Sequence, residues 1–163
     1  MSHQRPVQAG DRAPDFELPD QAGRPVRLRD LLGQQAVVLY FYPKDGTPGC
    51  TLEARAFQRR YDRFTEAGAT VVGISSDSVA SHRRFAAGQG LSFLLLSDRE
   101  GAVRKLYGVE KTLGVLPGRV TYVIDAGGVV RHIYSSQLRP LRHSREALGA
   151  IEDLSSPSAW RPS

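Results

Sequence analysis

Cysteine is nearly absent from this sequence: Cys50 stands alone among 163 residues. A single cysteine excludes an internal disulfide framework, C-x-x-C redox chemistry and a thiolate zinc cluster. The four histidines, His3, His82, His132 and His143, are scattered, and none forms an H-x-x-x-H or similar pair. No metal site and no cofactor are therefore expected.

Long apolar runs are missing too. The longest, Ala36 to Tyr42, falls far short of the roughly 20 residues that a membrane helix needs. The opening Met1-Ser2-His3-Gln4-Arg5-Pro6 contains no apolar stretch of signal-peptide kind. These absences lead to the expectation of a soluble, cytoplasmic protein with no membrane partner. The formal net charge of +5 invites a nucleic-acid reading. Its arginines are nevertheless spread along the whole chain, and the densest groups, Arg55/Arg59/Arg60/Arg63 and Arg139/Arg142/Arg145, are interleaved with acids and apolar residues. They read as solvated helix faces. Without a zinc-finger, helix-turn-helix or RNA-binding aromatic signature, no specific nucleic-acid partner is expected.

What is present is an alternation of strand and helix patterns. Phe16 to Leu18 and Val26 to Leu28 read as short strands around the turn Asp20-Gln21-Ala22-Gly23. Ala36 to Phe41 is a continuous run of β-formers, as in a strand buried on both faces. Cys50 to Ala67 has helical spacing, with Phe57, Tyr61 and Phe64 on one face and Gly68 as its stop. Thr70–Ile74 and Phe93–Leu96 read as strands, and Ser78–Gly88 and Gly101–Tyr107 as helices. Val120–Ile124 and Val129–Tyr134 flank Asp125-Ala126-Gly127-Gly128, a hairpin signal, and a last helix covers Ser144 to Leu154.

The order is thus β-α-β-α-β with parallel crossovers, then an antiparallel hairpin capped by a helix. The expected fold is α/β and most resembles the thioredoxin-like architecture: a central mixed β-sheet with helices on both faces and a short N-terminal hairpin. No linker divides the chain. Residues 1–154 read as a single domain, and 155–163, which contain Trp160, as a disordered tail.

The segment Tyr42-Pro43-Lys44-Asp45-Gly46-Thr47-Pro48-Gly49-Cys50-Thr51-Leu52-Glu53 joins the buried strand to the first long helix. Thr47 before Pro48 has the form of an N-cap followed by proline at the first helical position. Cys50 then falls in the first turn, where backbone N–H groups lack intrahelical partners and the helix dipole is positive. Both effects favour a thiolate, and the thiolate is the nucleophile. A lone cysteine in mid-helix would read as a small buried hydrophobe; this context argues for a reactive one.

The same segment resembles the P-x-x-x-T-x-x-C motif of peroxiredoxins, in the wording of the bacterioferritin comigratory protein or peroxiredoxin Q branch. The likeness extends over about residues 7 to 151, including Gly10-Asp11-Arg12-Ala13-Pro14-Asp15-Phe16 and Arg119-Val120-Thr121-Tyr122-Val123-Ile124-Asp125. It implies a thiol-dependent peroxidase acting on hydrogen peroxide and organic hydroperoxides. Cys50 would be the cysteine that attacks peroxide and becomes a sulfenic acid. Thr47 would hydrogen-bond the peroxide, Pro43 would cover the sulfur, and Arg119 would stabilise developing negative charge. Glu53 fits the branch pattern as a tuning residue, although a first-turn preference for acids explains it equally well. Tyr42, with Phe85 or the Leu113–Pro117 loop, would line the substrate pocket.

Many members of that branch carry a resolving cysteine five residues after the first. Here that position is Arg55, and no later cysteine exists. The expected cycle is therefore a one-cysteine cycle that borrows a thiol from thioredoxin, a glutaredoxin, a low-molecular-weight thiol or a second copy. A monomer is the default, with a dimer open. Arg55 could weakly favour the thiolate. The competing readings are a peroxide sensor that relays oxidation to a partner protein, a holdase chaperone, and nonspecific nucleic-acid binding through the basic surface.

Overall fold

The computed structural model describes residues 5–109, 111–112, 116–136 and 138–155. Its centre is a five-stranded sheet in the order β5-β4-β3-β8-β9, built from β3 (Ala36–Phe41), β4 (Ala69–Ser75), β5 (Leu94–Ser97), β8 (Val120–Ile124) and β9 (Val130–Ser135). The pairs β3–β4 and β4–β5 are parallel, whereas β3–β8 and β8–β9 are antiparallel. The sheet is mixed, as the sequence order requires.

The central strand explains why its sequence is an unbroken apolar run. Val38 and Tyr40 pack into one core with Phe57, Phe64 and Ile151. Val37, Leu39 and Phe41 pack into a second core with Phe16, Tyr107 and Tyr122. With a side-chain period of two, both faces of β3 are buried, and neither tolerates a polar residue. The first core lies under α2 (Pro48–Arg59), α3 (Tyr61–Glu66), α4 (Val79–Gln89) and α6 (Arg142–Ser155). The second is covered by α1 (Leu28–Leu31), α5 (Ala102–Tyr107) and the chain around Ala13 and Phe16.

The hairpin of β1 (Glu17–Pro19) and β2 (Pro25–Arg27) turns where expected, because the Asp20 carboxylate accepts the N–H groups of Ala22 and Arg24. Its second strand stops at Arg27; Leu28 opens α1 and is buried in the second core. The single helix expected from Cys50 to Ala67 starts earlier, at Pro48, and is broken at Arg60 (φ −99°, ψ 7°). There the backbone N–H of Arg60 donates to Phe57 and the guanidinium to the Ala56 carbonyl and Ser144 Oγ. The apolar stripe from Phe57 to Phe64 survives the break because both rings enter the same core. A two-stranded pairing of β6 (Lys111–Thr112) with β7 (Leu116–Pro117) was not legible in the sequence. The tail segment 156–163, with Trp160, lies outside the described residues. Among the described residues no helix is long and apolar enough to cross a membrane.

Candidate active site

The strand β3 ends at Phe41, and the chain must turn to enter α2. Gly46, at φ +79°, permits that turn. Thr47 follows in extended conformation (φ −75°, ψ 153°) as the N-cap of α2, with Pro48 at the first helical position. Cys50 therefore sits in the first turn, as its spacing from Thr47 dictates, and is 1% exposed. The position of the cap is as expected; its chemistry is not. The Thr47 hydroxyl does not cap the helix but donates to the Lys44 carbonyl at 2.9 Å, so its proton is committed and its lone pairs are what it can still offer.

Arg119, immediately before β8, reaches across the sheet end to the sulfur. Its Nη2 donates to Cys50 Sγ at 3.5 Å, and its Nη1 donates to Glu53 Oε1 in a short hydrogen bond. Arg119 and Glu53 are 5% and 0% exposed. One helical turn after Cys50, Glu53 projects from the same face of α2. It is therefore not a first-turn acid serving the helix dipole, since α2 has none; it faces inward and holds the arginine. Burial drives its carboxyl up to about 8, while Arg119 pulls the other way. Burial also works against the Arg119 cation, but Glu53 and Cys50 beside it pull the other way and the guanidinium is raised.

Two residues complete the site that the motif did not reveal. Gly49 is one: a Cβ there would lie 3.1 Å from Arg119 Nη2. The other is His143, fully buried on α6. Its Nε2 donates to the Ser136 carbonyl and its Nδ1 accepts from the Thr121 hydroxyl, each at 2.8 Å. Burial pushes it down to about 4, so it is neutral at neutral pH. Its Nδ1 lies 3.6 Å from Glu53 Oε2, an oxygen with no hydrogen-bond partner among the described residues. A scattered histidine gives no local signal of such a place.

Tyr42 is buried, and its hydroxyl is committed to Asp45 Oδ1 at 2.6 Å. Asp45 Oδ2 meets His82 Nδ1 at 2.6 Å and the Ser81 hydroxyl at 2.9 Å. His82 Nε2 donates to the Leu96 carbonyl. Asp77 Oδ2 accepts from Ser75 Oγ and from the Asp45 backbone. Asp45, Asp77 and His82 bring possible ligand atoms within 4.8 Å of one another. Those atoms are spent on holding the loop between β3 and α2. Pro43 is half-buried at the start of that loop. Phe85 joins the core that contains Cys50 and Tyr42, while residues 113–115 of the other proposed wall lie outside the described residues. Arg55 points elsewhere: its Nε donates to Gln89 Oε1 at 2.7 Å, tying α2 to α4 rather than serving the sulfur.

A buried thiol at a helix start, facing a buried arginine at one end of a mixed sheet, defines a thioredoxin-like thiol peroxidase. The AhpC/TSA family matches residues 9–133, and the chain belongs to that family. Within it the similarity is to peroxiredoxins of the Q branch. The chloroplastic peroxiredoxin Q of Sedum lineare is 50% identical over 149 residues, which cover 91% of this chain and 80% of the relative. The crystal structure of peroxidoxin BcpB from Mycobacterium tuberculosis matches with a TM-score of 0.86 and 41% identity, over 92% of this chain and 99% of that one. A bacterioferritin comigratory protein from Xanthomonas campestris, described for its alkyl peroxide reduction activity, matches with a TM-score of 0.82 and 32% identity, over 92% and 98%. The chain is a peroxiredoxin, a thiol-dependent peroxidase, and its one cysteine fits a one-cysteine cycle. These likenesses do not favour the sensor reading. They also overturn the cytoplasmic expectation: the plant relatives are named chloroplastic, so the polar character of residues 1–6 does not fix a compartment.

Proposed function

We propose that Cys50 is the attacking group and that Arg119, Thr47 and Pro43 build its peroxide site. The observation that carries this is the buried bridge from Glu53 through Arg119 to the Cys50 sulfur. The thiolate attacks the hydroxyl-bearing oxygen of the peroxide. An S–O bond forms as the O–O bond breaks, the sulfur is oxidised to a sulfenic acid, and the departing oxygen takes a proton to leave as water or an alcohol. Arg119 faces both the thiolate and the oxygen on which charge develops. Thr47, whose proton is given to Lys44, accepts the hydrogen bond of the peroxide O–H. Pro43 shields the sulfur from water, Glu53 anchors Arg119, and Tyr42 fixes the loop through Asp45 while lining the apolar wall.

A first external thiol condenses with the sulfenic acid, releasing water and leaving a mixed disulfide. A second thiol displaces Cys50 and carries the oxidation away as its own disulfide. The donor is thioredoxin, a glutaredoxin or a small thiol, the substrates are hydrogen peroxide and organic hydroperoxides, and the working unit is a monomer formed by a single domain of residues 1–154. The test is one equivalent of peroxide followed by intact mass measurement with a sulfenic-acid trap. An adduct at Cys50, and loss of peroxide consumption in Cys50→Ser, are expected; an active Cys50→Ser protein would overturn the reading.

A further inference from the structure

Arg104 is a buried cation outside the bridge from Glu53 through Arg119 to Cys50. It lies on the six-residue helix α5 and is 8% exposed. Among the described residues its guanidinium forms no ion pair. Nη1 donates to the Gly118 carbonyl at 2.9 Å and Nη2 to the Tyr42 carbonyl at 3.0 Å. The cation also lies 5.7 Å from the centre of the Phe41 ring. Taking a guanidinium out of water without a carboxylate partner is costly. Burial indeed lowers its pKa, with Asp98, Tyr122 and Cys50 pulling back.

The two carbonyls it holds are not arbitrary. Tyr42 precedes Pro43, and Gly118 precedes Arg119. The last ladder pair between β3 and β8 is Phe41 with Val120. Beyond it Pro43 has no N–H with which to continue the ladder. Arg104 supplies donors where the strands stop supplying them. Its own position is fixed from below, because Asp98 accepts the backbone N–H groups of Val103 and Arg104 and donates its own N–H to the Ser75 carbonyl at the end of β4.

We infer that Arg104 is a positioning residue for peroxide reduction: by bridging the carbonyls of Tyr42 and Gly118 it sets the spacing between the Pro43 loop and Arg119, and so the approach of Arg119 to Cys50. The inference rests on the proposed roles of Cys50 and Arg119. Arg104 touches neither peroxide nor sulfur, and its effect belongs to the oxidation step alone.

The test separates the two half-reactions in the full chain. Oxidation of Cys50 by hydrogen peroxide is followed in a single turnover, and reduction of the oxidised protein by dithiothreitol is followed separately. In Arg104→Met, oxidation should slow by about tenfold or more, since a displacement of about 1 Å at reacting groups costs up to about 100-fold. Reduction should stay within about twofold of wild type, an insensitivity that general loss of structure would not give. The double variant Arg104→Met/Arg119→Met should be no slower than Arg119→Met, because the two act as a unit. Should Arg104→Met not fold, Arg104→Lys, which keeps the charge but loses the planar two-nitrogen fork that spans the carbonyls, decides the matter by the same split. Wild-type oxidation rates in the folded variant, equal slowing of both half-reactions, or a fully multiplicative double variant overturns the inference. Wild-type protein that is not oxidised at Cys50 overturns the reading of the site and this inference with it.

Discussion

Arg119 Nη2 lies 3.1 Å from the point where a Cβ on Gly49 would stand, so a side chain at residue 49 would crowd the guanidinium where it approaches Cys50. Gly49→Ala sets two effects against each other. Helix propensity favours alanine by up to about 1 kcal/mol, and Gly49 has no positive φ to be strained. Arg119 must nevertheless withdraw. The expected outcome is an unchanged or raised melting temperature with peroxide oxidation of Cys50 slowed by about tenfold or more. A protein that loses stability and keeps its rate would show that the close approach is unimportant.

The pH dependence of stability should carry the signature of Glu53. Burial raises its carboxyl to about 8, above the value near 4.5 of the unfolded chain. Between those values the folded chain holds a proton that the unfolded chain has lost, so this contribution is complete below about pH 4.5 and fades as pH rises through about 8. Denaturant titrations at stepped pH should find a falling slope in this window that Glu53→Gln flattens. Equal slopes in the two proteins would contradict it.

His143 gives the opposite sign. Its folded value of about 4 lies below the usual 6.5, so its contribution is present above about 6.5 and is lost as pH falls through about 4, a change on the order of 3 kcal/mol. His143→Gln should lose part of this acid limb. At neutral pH it should cost about 1–3 kcal/mol, because the Thr121 hydroxyl and the Ser136 carbonyl lose a fitted partner.

His82→Phe tests the anchoring of the loop. The phenyl ring has no polar atom and leaves Asp45 Oδ2 and the Leu96 carbonyl without the imidazole. A loss of about 2–4 kcal/mol is expected from chemical denaturation. Peroxide oxidation should also slow, since Asp45 is held in the same loop as Thr47.

How much of this could be read from the sequence follows from the range of each interaction. The unbroken run Ala36–Phe41 announced a strand buried on both faces, and Thr47-Pro48-Gly49-Cys50 announced a cysteine in a first helical turn, because both patterns are local. Glu53 was half legible: its spacing from Cys50 puts it on the same helix face, yet only the packed structure shows that this face is turned inward. Arg104 and His143 were silent. Their partners are backbone carbonyls and a hydroxyl on other elements, and such groups leave no residue-type pattern. The break at Arg60 was hidden because Phe57 and Phe64 keep helical spacing across it.

The burial of the single thiol sets two clocks running once it is oxidised. No second thiol in the chain can close on the sulfenic acid, and the bond from Arg55 to Gln89 braces the helix that carries it. The oxidised group waits for an outside thiol, and while it waits a second peroxide can carry it on to the sulfinic acid, from which ordinary thiols do not recover it. The number of turnovers in one molecule's life is therefore set by the ratio of thiol to peroxide around it. The protein works as a consumable whose lifetime its surroundings dictate.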